Sequence, residues 1–101
     1  MIVLHASFPI DPDRREDAIE LIDTLVDKSN EEDGMIDYRA TIDIQDEHMI
    51  RFIERYEDEA AFEAHTQTEH FQTFEERLPE LLAGDPEILR FDVSDVTDLE
   101  V

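Results

Sequence analysis

The chain of 101 residues contains no cysteine, no tryptophan and only two glycines. Without cysteine it can form no disulfide, no thiolate nucleophile and no cysteine-ligated metal site. No apolar run approaches the length of a transmembrane helix, and the N-terminal segment MIVLHASFPI is too short for a signal-peptide core with a basic flank. We therefore expect a cytoplasmic protein with no membrane partner.

Positive charge is also scarce. Lysine and arginine together number 8, against 29 aspartates and glutamates, so the formal net charge is −21 at pH 7. Phosphate contacts need a basic face, so we expect no nucleic-acid partner. The acidic residues alternate with apolar ones instead of forming one tail, which indicates a folded domain with an acidic surface. Such a composition resembles that of cytosolic proteins of extreme halophiles, because molar salt screens the self-repulsion of the surface; an acidic mesophile protein is the alternative.

The spacing of the apolar residues predicts one domain over residues 1–101. Ala18, Ile22 and Leu25 fall on one face of a helix that we expect to run from an Asp11 cap to about Ser29. Four strands are predicted, over 2–8, 35–44, 49–56 and 88–93, with a hairpin turn at QDEH between the second and third. Two further helices are expected to begin at caps Asp58 and Thr68, and Pro79 is expected to distort the last turn of the second of them. An acidic tail over about 95–101 ends the chain.

This order, β-α-β-β-α-β, is the ferredoxin-like α+β pattern, in which an antiparallel sheet carries its helices on one face. The opposite face of such a sheet, which we expect to carry Tyr38, Phe52 or their neighbours, must be covered by something. A second copy of the sheet is the simplest cover, so we expect a homodimer.

The segment over residues 33–74 resembles the core of the antibiotic biosynthesis monooxygenase (ABM) family, and the resemblance extends from Ile2 to about Val93. That family has an acidic residue and Gly before a Tyr-bearing strand, then a strand ending in Glu-x-Trp-x-Asp, then His-x-x-Ser-x-His-Phe. The matching residues here are Asp33, Gly34, Tyr38, Glu54, Tyr56, Asp58, His65, Thr68, His70 and Phe71, with Tyr56 in the usual place of Trp. The resemblance implies a dimeric α+β barrel with a pocket between sheet and helices in each subunit.

The resemblance also implies an oxidoreductase. Several members of the family oxygenate quinols or polyketide phenols with dioxygen and without metal, flavin or haem, so the expected partners are a small aromatic substrate and dioxygen, and no cofactor is expected. The chemistry is physically reasonable. A base that removes the phenol proton, with donors that stabilise the phenolate, lets the electron-rich ring react with oxygen directly.

Histidine suits the role of the base because its ordinary pKa lies near neutrality. The candidates are His65 and His70; the alternative is that both only shape the turn between two helices. They stand five residues apart across a helix break, which is not the i, i+4 zinc arrangement, so no metal site is expected. Glu54 is a candidate proton acceptor, or a residue that orients a histidine. The alternative is that Glu54 forms an ion pair with an arginine across the sheet, such as Arg51, Arg55 or Arg90.

Aromatic residues complete the predicted site. Tyr38 and Tyr56 are expected either to bind a substrate oxygen or to be core residues with a solvated hydroxyl. His5 faces either the pocket or the dimer interface. The remaining expectations are apolar walls from Phe52, Phe71 and Phe74, a core position for Phe91, and a solvated His48 in the hairpin turn.

Two other functions compete with the oxygenase. Related dimeric barrels bind or degrade haem, but they pair a pocket tryptophan with a histidine ten residues later, where this chain has His65 and Glu75 and no tryptophan. The other alternative is a non-catalytic ligand-binding or stress-response dimer of the same fold, because a fold does not settle a function.

Overall fold

The computed structural model describes all 101 residues. In chain order the elements are β1 (Ile2–Pro9), a 3-10 turn (Pro12–Arg14) leading into α1 (Arg15–Ser29), β2 (Met35–Asp43), β3 (Asp46–Tyr56), α2 (Glu59–Thr66), α3 (Glu69–Leu81) and β4 (Glu87–Asp92). None of these helices combines the length and the apolar character needed to cross a bilayer.

The four strands form one sheet in the order β2-β3-β1-β4, and every neighbouring pair is antiparallel. This is the predicted ferredoxin-like α+β fold. The register aligns Leu4 with Glu54 and Ala6 with Phe52, so these side chains share one face of the sheet. The helices cover that face, and the main core lies between them and the sheet. Its buried members are Ala6, Phe8, Ile10, Ala18, Ile22, Leu25, Tyr38, Ile50, Phe52, Phe74 and Leu81.

Side-chain caps set where α2 and α3 begin, as predicted, whereas the predicted Asp11 cap belongs to the 3-10 turn, where it accepts from the Asp13 N–H, and α1 itself has no side-chain cap. The Asp58 carboxylate accepts a hydrogen bond from the Ala61 N–H at 2.9 Å, and the Thr68 hydroxyl accepts one from the Phe71 N–H at 3.2 Å. These two caps divide the second helical stretch into α2 and α3. Pro79 lies inside α3, which continues to Leu81.

The hairpin between β2 and β3 is tighter than predicted, because β3 already begins at Asp46. Asp43 and Asp46 accept hydrogen bonds from N–H groups of the turn and the start of β3, which lets the chain reverse within two residues. His48 is therefore not in the turn: it lies in β3, where its carbonyl accepts a hydrogen bond from the Ile10 N–H at 2.8 Å.

The face of the sheet away from the helices carries exposed apolar side chains. Ile53, Leu89 and Phe91 are between 42% and 47% exposed. Phe91 was expected in the core, but its register with Val3 places it on this outer face. His5 is here too, with its ring centroid 5.0 Å from that of Phe91. No other element of the chain covers this surface, which we call the outer sheet face.

Candidate active site

A cavity of about 200 Å³ lies between the inner sheet face and helices α2 and α3. We call it the inner pocket. Most of its walls are apolar, and a few polar side chains converge on it, which is the usual make-up of a small-molecule site. The lining residues are Leu4, Ala6, Phe8, Tyr38, Phe52, Glu54, Phe62, His65, Thr66, Phe71, Phe74, Glu75, Leu78 and Ile88.

Two histidines meet on one carboxylate beside this pocket. Oε2 of Glu32 lies 2.8 Å from Nδ1 of His65 and 2.6 Å from Nε2 of His70. The His65 side chain is 1% exposed, that of Glu32 12% and that of His70 15%. An ionised carboxylate only accepts hydrogen bonds, so with Glu32 ionised both ring nitrogens are N–H donors.

The turn after α1 places Glu32 at this point. The Asn30 side-chain amide donates to the carbonyls of Val26 and Tyr38, both at 2.9 Å, and its Oδ1 accepts from the Tyr38 N–H at 3.1 Å. The Glu32 N–H donates to the Ser29 carbonyl at 3.1 Å, which extends the helical turn by one step. Asn30 therefore ties the end of α1 to β2 and fixes the turn that carries Glu32.

Gly34 brings this turn against the helix that carries His65. Its φ is +81°, a region that favours glycine, and a Cβ at this position would lie 2.7 Å from the Cβ of Ala61 in α2. No other residue type permits so close an approach. The distance between Glu32 and His65 thus depends on a glycine.

The electrostatics of His65 favour a neutral ring. Burial lowers the pKa of His65, the hydrogen bond and the negative charge of Glu32 oppose that shift, and the charge of His70 lowers the pKa further. Because Nδ1 donates to Glu32, the lone pair of the neutral ring lies on Nε2. That nitrogen is buried and makes no hydrogen bond within the protein. His65 thus has the form of a general base: one nitrogen oriented by a carboxylate and the other free to accept a proton.

Glu54 is the second titratable group of the pocket. Burial raises its pKa to about 7, although the hydrogen bond from Tyr56 works in the opposite direction. The Tyr56 hydroxyl donates to Oε1 of Glu54 at 2.6 Å. The expected alternative, an arginine partner, is wrong, because the ion pairs of Arg51, Arg55 and Arg90 are with Asp43, Asp37, Glu59 and Asp92.

Tyr38 lies between the histidine and the phenylalanine wall. Its ring centroid is 5.2 Å from that of His65 and 5.7 Å from that of Phe52. Burial and the charges of Glu54 and Glu32 raise the pKa of Tyr38 far above its usual range. The hydroxyl stays neutral, and a neutral phenol can donate a hydrogen bond to an oxygen of a bound molecule.

The structure brings most of the predicted site residues together. His65, Glu54, Tyr38, Phe52, Phe71 and Phe74 line the inner pocket. Three others lie elsewhere: Tyr56 is fully buried and holds Glu54 by its hydroxyl, His70 reaches the site only through Glu32, and His5 lies on the outer sheet face.

Glu32 is the residue of the candidate site that the sequence did not predict. In NEEDG it stands among acidic turn residues that have the composition of a solvated loop. The acidic residue matched to the motif was Asp33, but Asp33 is exposed, and the neighbour before it reaches the histidines. The one local signal was Gly34, which demands a close approach of this turn to another element.

The same three side chains are the group that could hold a metal ion, because the donor atoms of Glu32, His65 and His70 all lie within 4.8 Å of one another. The sequence spacing of the histidines predicted no such group, since the carboxylate that unites them comes from a distant turn. At 2.8 and 2.6 Å both ring nitrogens hydrogen-bond the carboxylate directly. These two hydrogen bonds allow the three side chains to share protons.

The chain is a ferredoxin-like α+β domain with an internal, mostly apolar cavity. Residues 1–95 match the family model described as antibiotic biosynthesis monooxygenase. The chain belongs to this family.

Individual relatives agree with that assignment. The protein named "Putative monooxygenase YcnE" of Bacillus subtilis (strain 168) is 33% identical over 95 residues, which are 94% of this chain and 100% of that protein. The crystal structure of PA3566 from Pseudomonas aeruginosa is 30% identical, with a TM-score of 0.84 over 93% of this chain and 94% of that one. A crystal structure of an antibiotic biosynthesis monooxygenase is 26% identical, with a TM-score of 0.87 over 94% of this chain and 100% of the other.

Proposed function

We propose that this protein is a cofactor-independent monooxygenase that oxidises a small quinol or related phenol with dioxygen. The observation that carries the proposal is His65, whose Nδ1 is held by Glu32 while its buried Nε2 has no hydrogen-bond partner. A buried nitrogen without a partner is costly in a structural role, and it is what a base needs before its substrate arrives. The family membership supports the same reaction class.

In the proposed reaction, Nε2 of His65 takes the hydroxyl proton of the bound quinol. The Tyr38 hydroxyl donates a hydrogen bond to the phenolate oxygen, which stabilises the charge that develops. The phenolate then reacts with dioxygen at a ring carbon, and loss of water gives the hydroxyquinone. Overall, one quinol and one dioxygen yield one hydroxyquinone and one water. Glu54, with a pKa of about 7, supplies a proton to the departing oxygen.

The size and charge of the inner pocket narrow the proposed substrate. A cavity of about 150 Å³ in a protein core accommodates benzene, so about 200 Å³ suits a molecule of one or two rings better than a large polyketide. The ionisable wall residues are Glu54, Glu75, Tyr38 and His65, with no lysine or arginine among them. An uncharged quinol therefore fits better than a carboxylated one.

Oxygen uptake with benzohydroquinone and with menadiol, measured in molar salt, tests the proposal. We expect protein-dependent uptake that is lost in His65→Gln, which removes the base. His48→Gln is the matched control, because it makes the same change at a histidine of β3 that does not line the pocket. Uptake in His65→Gln equal to that of the wild type, or no uptake with any of a panel of quinols, would refute the proposal.

We also propose that the protein is a homodimer joined through the outer sheet face. Ile53, Leu89 and Phe91 stand exposed there beside Val3, and pairing two such faces would remove this apolar surface from water. The outer sheet face is a continuous strand surface with no covering element. Its pairing with a second copy leaves the inner pockets of both subunits intact.

The acidic surface supports a further proposal, that the protein works in molar salt as proteins of extreme halophiles do. Its net charge of −21 is far from compensated by its 8 basic residues. The arginine ion pairs are at the surface, for example Arg90 with Glu59 at 2.8 Å, and such pairs contribute little to stability. Screening by salt is the remaining means of reducing the repulsion.

A further inference from the structure

The histidine cluster reaches a second cavity as well as the inner pocket. A cleft of about 80 Å³ lies between α1 and α3, and His70 lines it together with Leu21, Thr24, Leu25, Lys28, Glu69 and Thr73. We call it the outer cleft. None of the residues that line it also lines the inner pocket. Glu32, which hydrogen-bonds both rings, thus links a histidine of the inner pocket to a histidine of the outer cleft.

We propose that Glu32 and His70 form a proton outlet, by which protonation of His65 in the inner pocket expels a proton from His70 into the outer cleft. The inference rests on the proposed function, since it takes His65 as the acceptor of the substrate proton. Glu32 and His70 touch neither the substrate nor oxygen in this scheme. They are positioning and proton-relay residues.

Charge balance couples the two histidine rings. One carboxylate can compensate one imidazolium, and both rings bond to the same oxygen of Glu32. His65 is the poorer place for that charge in the resting protein, because burial lowers its pKa and only 1% of its side chain is exposed. A positive charge on the cluster is better accommodated by His70, whose side chain is 15% exposed, than by His65, whose side chain is 1% exposed, because burial disfavours a charge.

The rings that carry the two unbonded nitrogens line different cavities. The His65 nitrogen without a partner is buried and belongs to a ring that lines the inner pocket. Nδ1 of His70 makes no hydrogen bond within the protein and belongs to a ring that lines the outer cleft. Each ring thus bonds Glu32 through one nitrogen and leaves the other for a different cavity. Uptake of a proton by His65 can therefore be balanced by release of a proton from His70.

The coupling follows from these positions. When a phenol binds, its O–H bond breaks and an Nε2–H bond forms on His65. Two imidazolium rings would then share one carboxylate, which is unfavourable in a mostly buried site. The Nδ1–H bond of His70 breaks, and water in the outer cleft takes the proton. One proton enters the cluster, one leaves it, and no electron moves.

Other ionisable groups line the outer cleft and the inner pocket, but none of them links His65 to His70. Lys28 and Glu69 lie in the outer cleft with opposite charges. Glu54 and Tyr38 face His65 across the inner pocket, and the pKa values of both are raised, which keeps Tyr38 neutral and Glu54 largely so below about pH 7. Neither hydrogen-bonds a histidine, so Glu32 remains the only carboxylate bonded to the two rings.

Binding of 4-nitrophenol tests the outlet without turnover, because the phenolate absorbs visible light and the ring resists oxidation. At about pH 6, below the ordinary pKa of histidine, we expect the bound phenol to ionise and about one proton per bound phenolate to appear in a weakly buffered solution containing an indicator. In His70→Gln, whose amide can still donate to Glu32, the phenolate should form without proton release. Thr73→Val, a change at another wall of the outer cleft, should release the proton as the wild type does.

Turnover provides a second readout. With a quinol that the wild type oxidises, His70→Gln should lower kcat about ten-fold with KM unchanged, and added imidazole should restore it by accepting the proton in place of the ring. A merely structural role of His70 would not be rescued by imidazole. Glu32→Gln removes the charge that couples the rings, so it should also abolish proton release. This variant replaces His70→Gln in the test if His70→Gln does not fold.

The outcomes separate the two proposals. Proton release from His70→Gln equal to that of the wild type overturns the outlet and leaves the oxygenase intact. Phenolate formation and proton release without any oxygen uptake refute the oxygenase and support the outlet. If 4-nitrophenol binds without ionising, His65 does not accept its proton, and the proposed proton outlet is refuted.

Discussion

Glu32 and Glu54 are both carboxylates of the site, but their surroundings give them opposite roles. Glu32 bonds two imidazole rings, which can balance its negative charge. Glu54 has one neutral partner, the Tyr56 hydroxyl at 2.6 Å, and burial raises its pKa to about 7. One carboxylate therefore orients two histidines, and the other is an acid near neutral pH. Carboxylates whose environments differ in this way are typical of acid–base sites.

The substitution Glu54→Gln is predicted to stabilise the fold at high pH. The unfolded chain ionises Glu54 near 4.5 and the folded protein only near 7, so the folded state binds the extra proton between these values. Stability that is fully present below about pH 4.5 is lost as the pH rises through 7, by up to about 3 kcal/mol. Glutamine keeps an acceptor for Tyr56 and does not titrate.

Chemical denaturation of both proteins between about pH 5 and 8 measures this effect. The free energy of unfolding of Glu54→Gln relative to the wild type should rise across that range. A difference that is independent of pH would show that Glu54 is already ionised in the folded protein.

At the scale of elements, the site depends on the turn between α1 and β2 and on its contact with α2. Asn30 fastens the turn to β2, and Gly34 lets it approach Ala61. Helix α2 begins at a fixed residue because Asp58 caps it, so His65 faces the turn at a fixed distance. The Asn30 hydrogen bonds and the close contact of Gly34 thus set the distance between Glu32 and His65, which lie 33 positions apart in the sequence.

Gly34→Ala is predicted to destabilise the protein by roughly 1–3 kcal/mol, because a Cβ would strain a φ of +81° and collide with Ala61 at 2.7 Å. The turn should also move away from α2, which would weaken the bond between Glu32 and His65 and lower activity beyond the loss of folded protein. Gly84→Ala is the matched control, since its Cβ would meet Pro9 at an ordinary 3.5 Å. Thermal melts of both variants measure the difference, and equal melting temperatures would contradict it.

On the scale of the whole molecule, an uncovered apolar sheet face and an excess of negative charge act in opposite directions. The outer sheet face favours association, whereas the charge of −21 opposes both folding and association. At about 0.1 M salt charges interact over about 10 Å, and at 1 M over only about 3 Å. High salt should therefore favour the folded dimer.

The substitution Phe91→Glu is predicted to convert the proposed dimer into monomers, because it places a charge in the middle of the proposed interface. Ile44→Glu is the control, since Ile44 is a fully exposed apolar residue in the hairpin turn, outside the outer sheet face. Light scattering in molar salt gives the mass of each. A wild type that is monomeric at every concentration would rule out the dimer.

The melting temperature is predicted to rise steeply between low and molar potassium chloride, because screening removes repulsion among the acidic side chains. Melts in an uncharged osmolyte of equal osmolality separate screening from the general exclusion of solutes. An unchanged melting temperature across the salt range would contradict the proposed adaptation to salt.

The sequence by itself determined the secondary structure, the order of the elements and the family. Alternation in β3, helical spacing in α1 and the caps Asp58 and Thr68 are all encoded by near neighbours, so they can be recognised without coordinates. The hairpin was placed less well: the aspartates that tighten it also suit a longer turn, and His48 was assigned to the turn when it lies in β3.

Only the tertiary structure decided which side chains meet. Glu32 joins histidines 33 and 38 positions away, and no local pattern records such a contact. The outward position of His5 and Phe91 likewise follows from how β1 and β4 pair and from which face the helices cover. Neighbouring residues set the conformation of a segment, whereas the site arises from contacts between distant segments, which exist only once the sheet and helices have packed together.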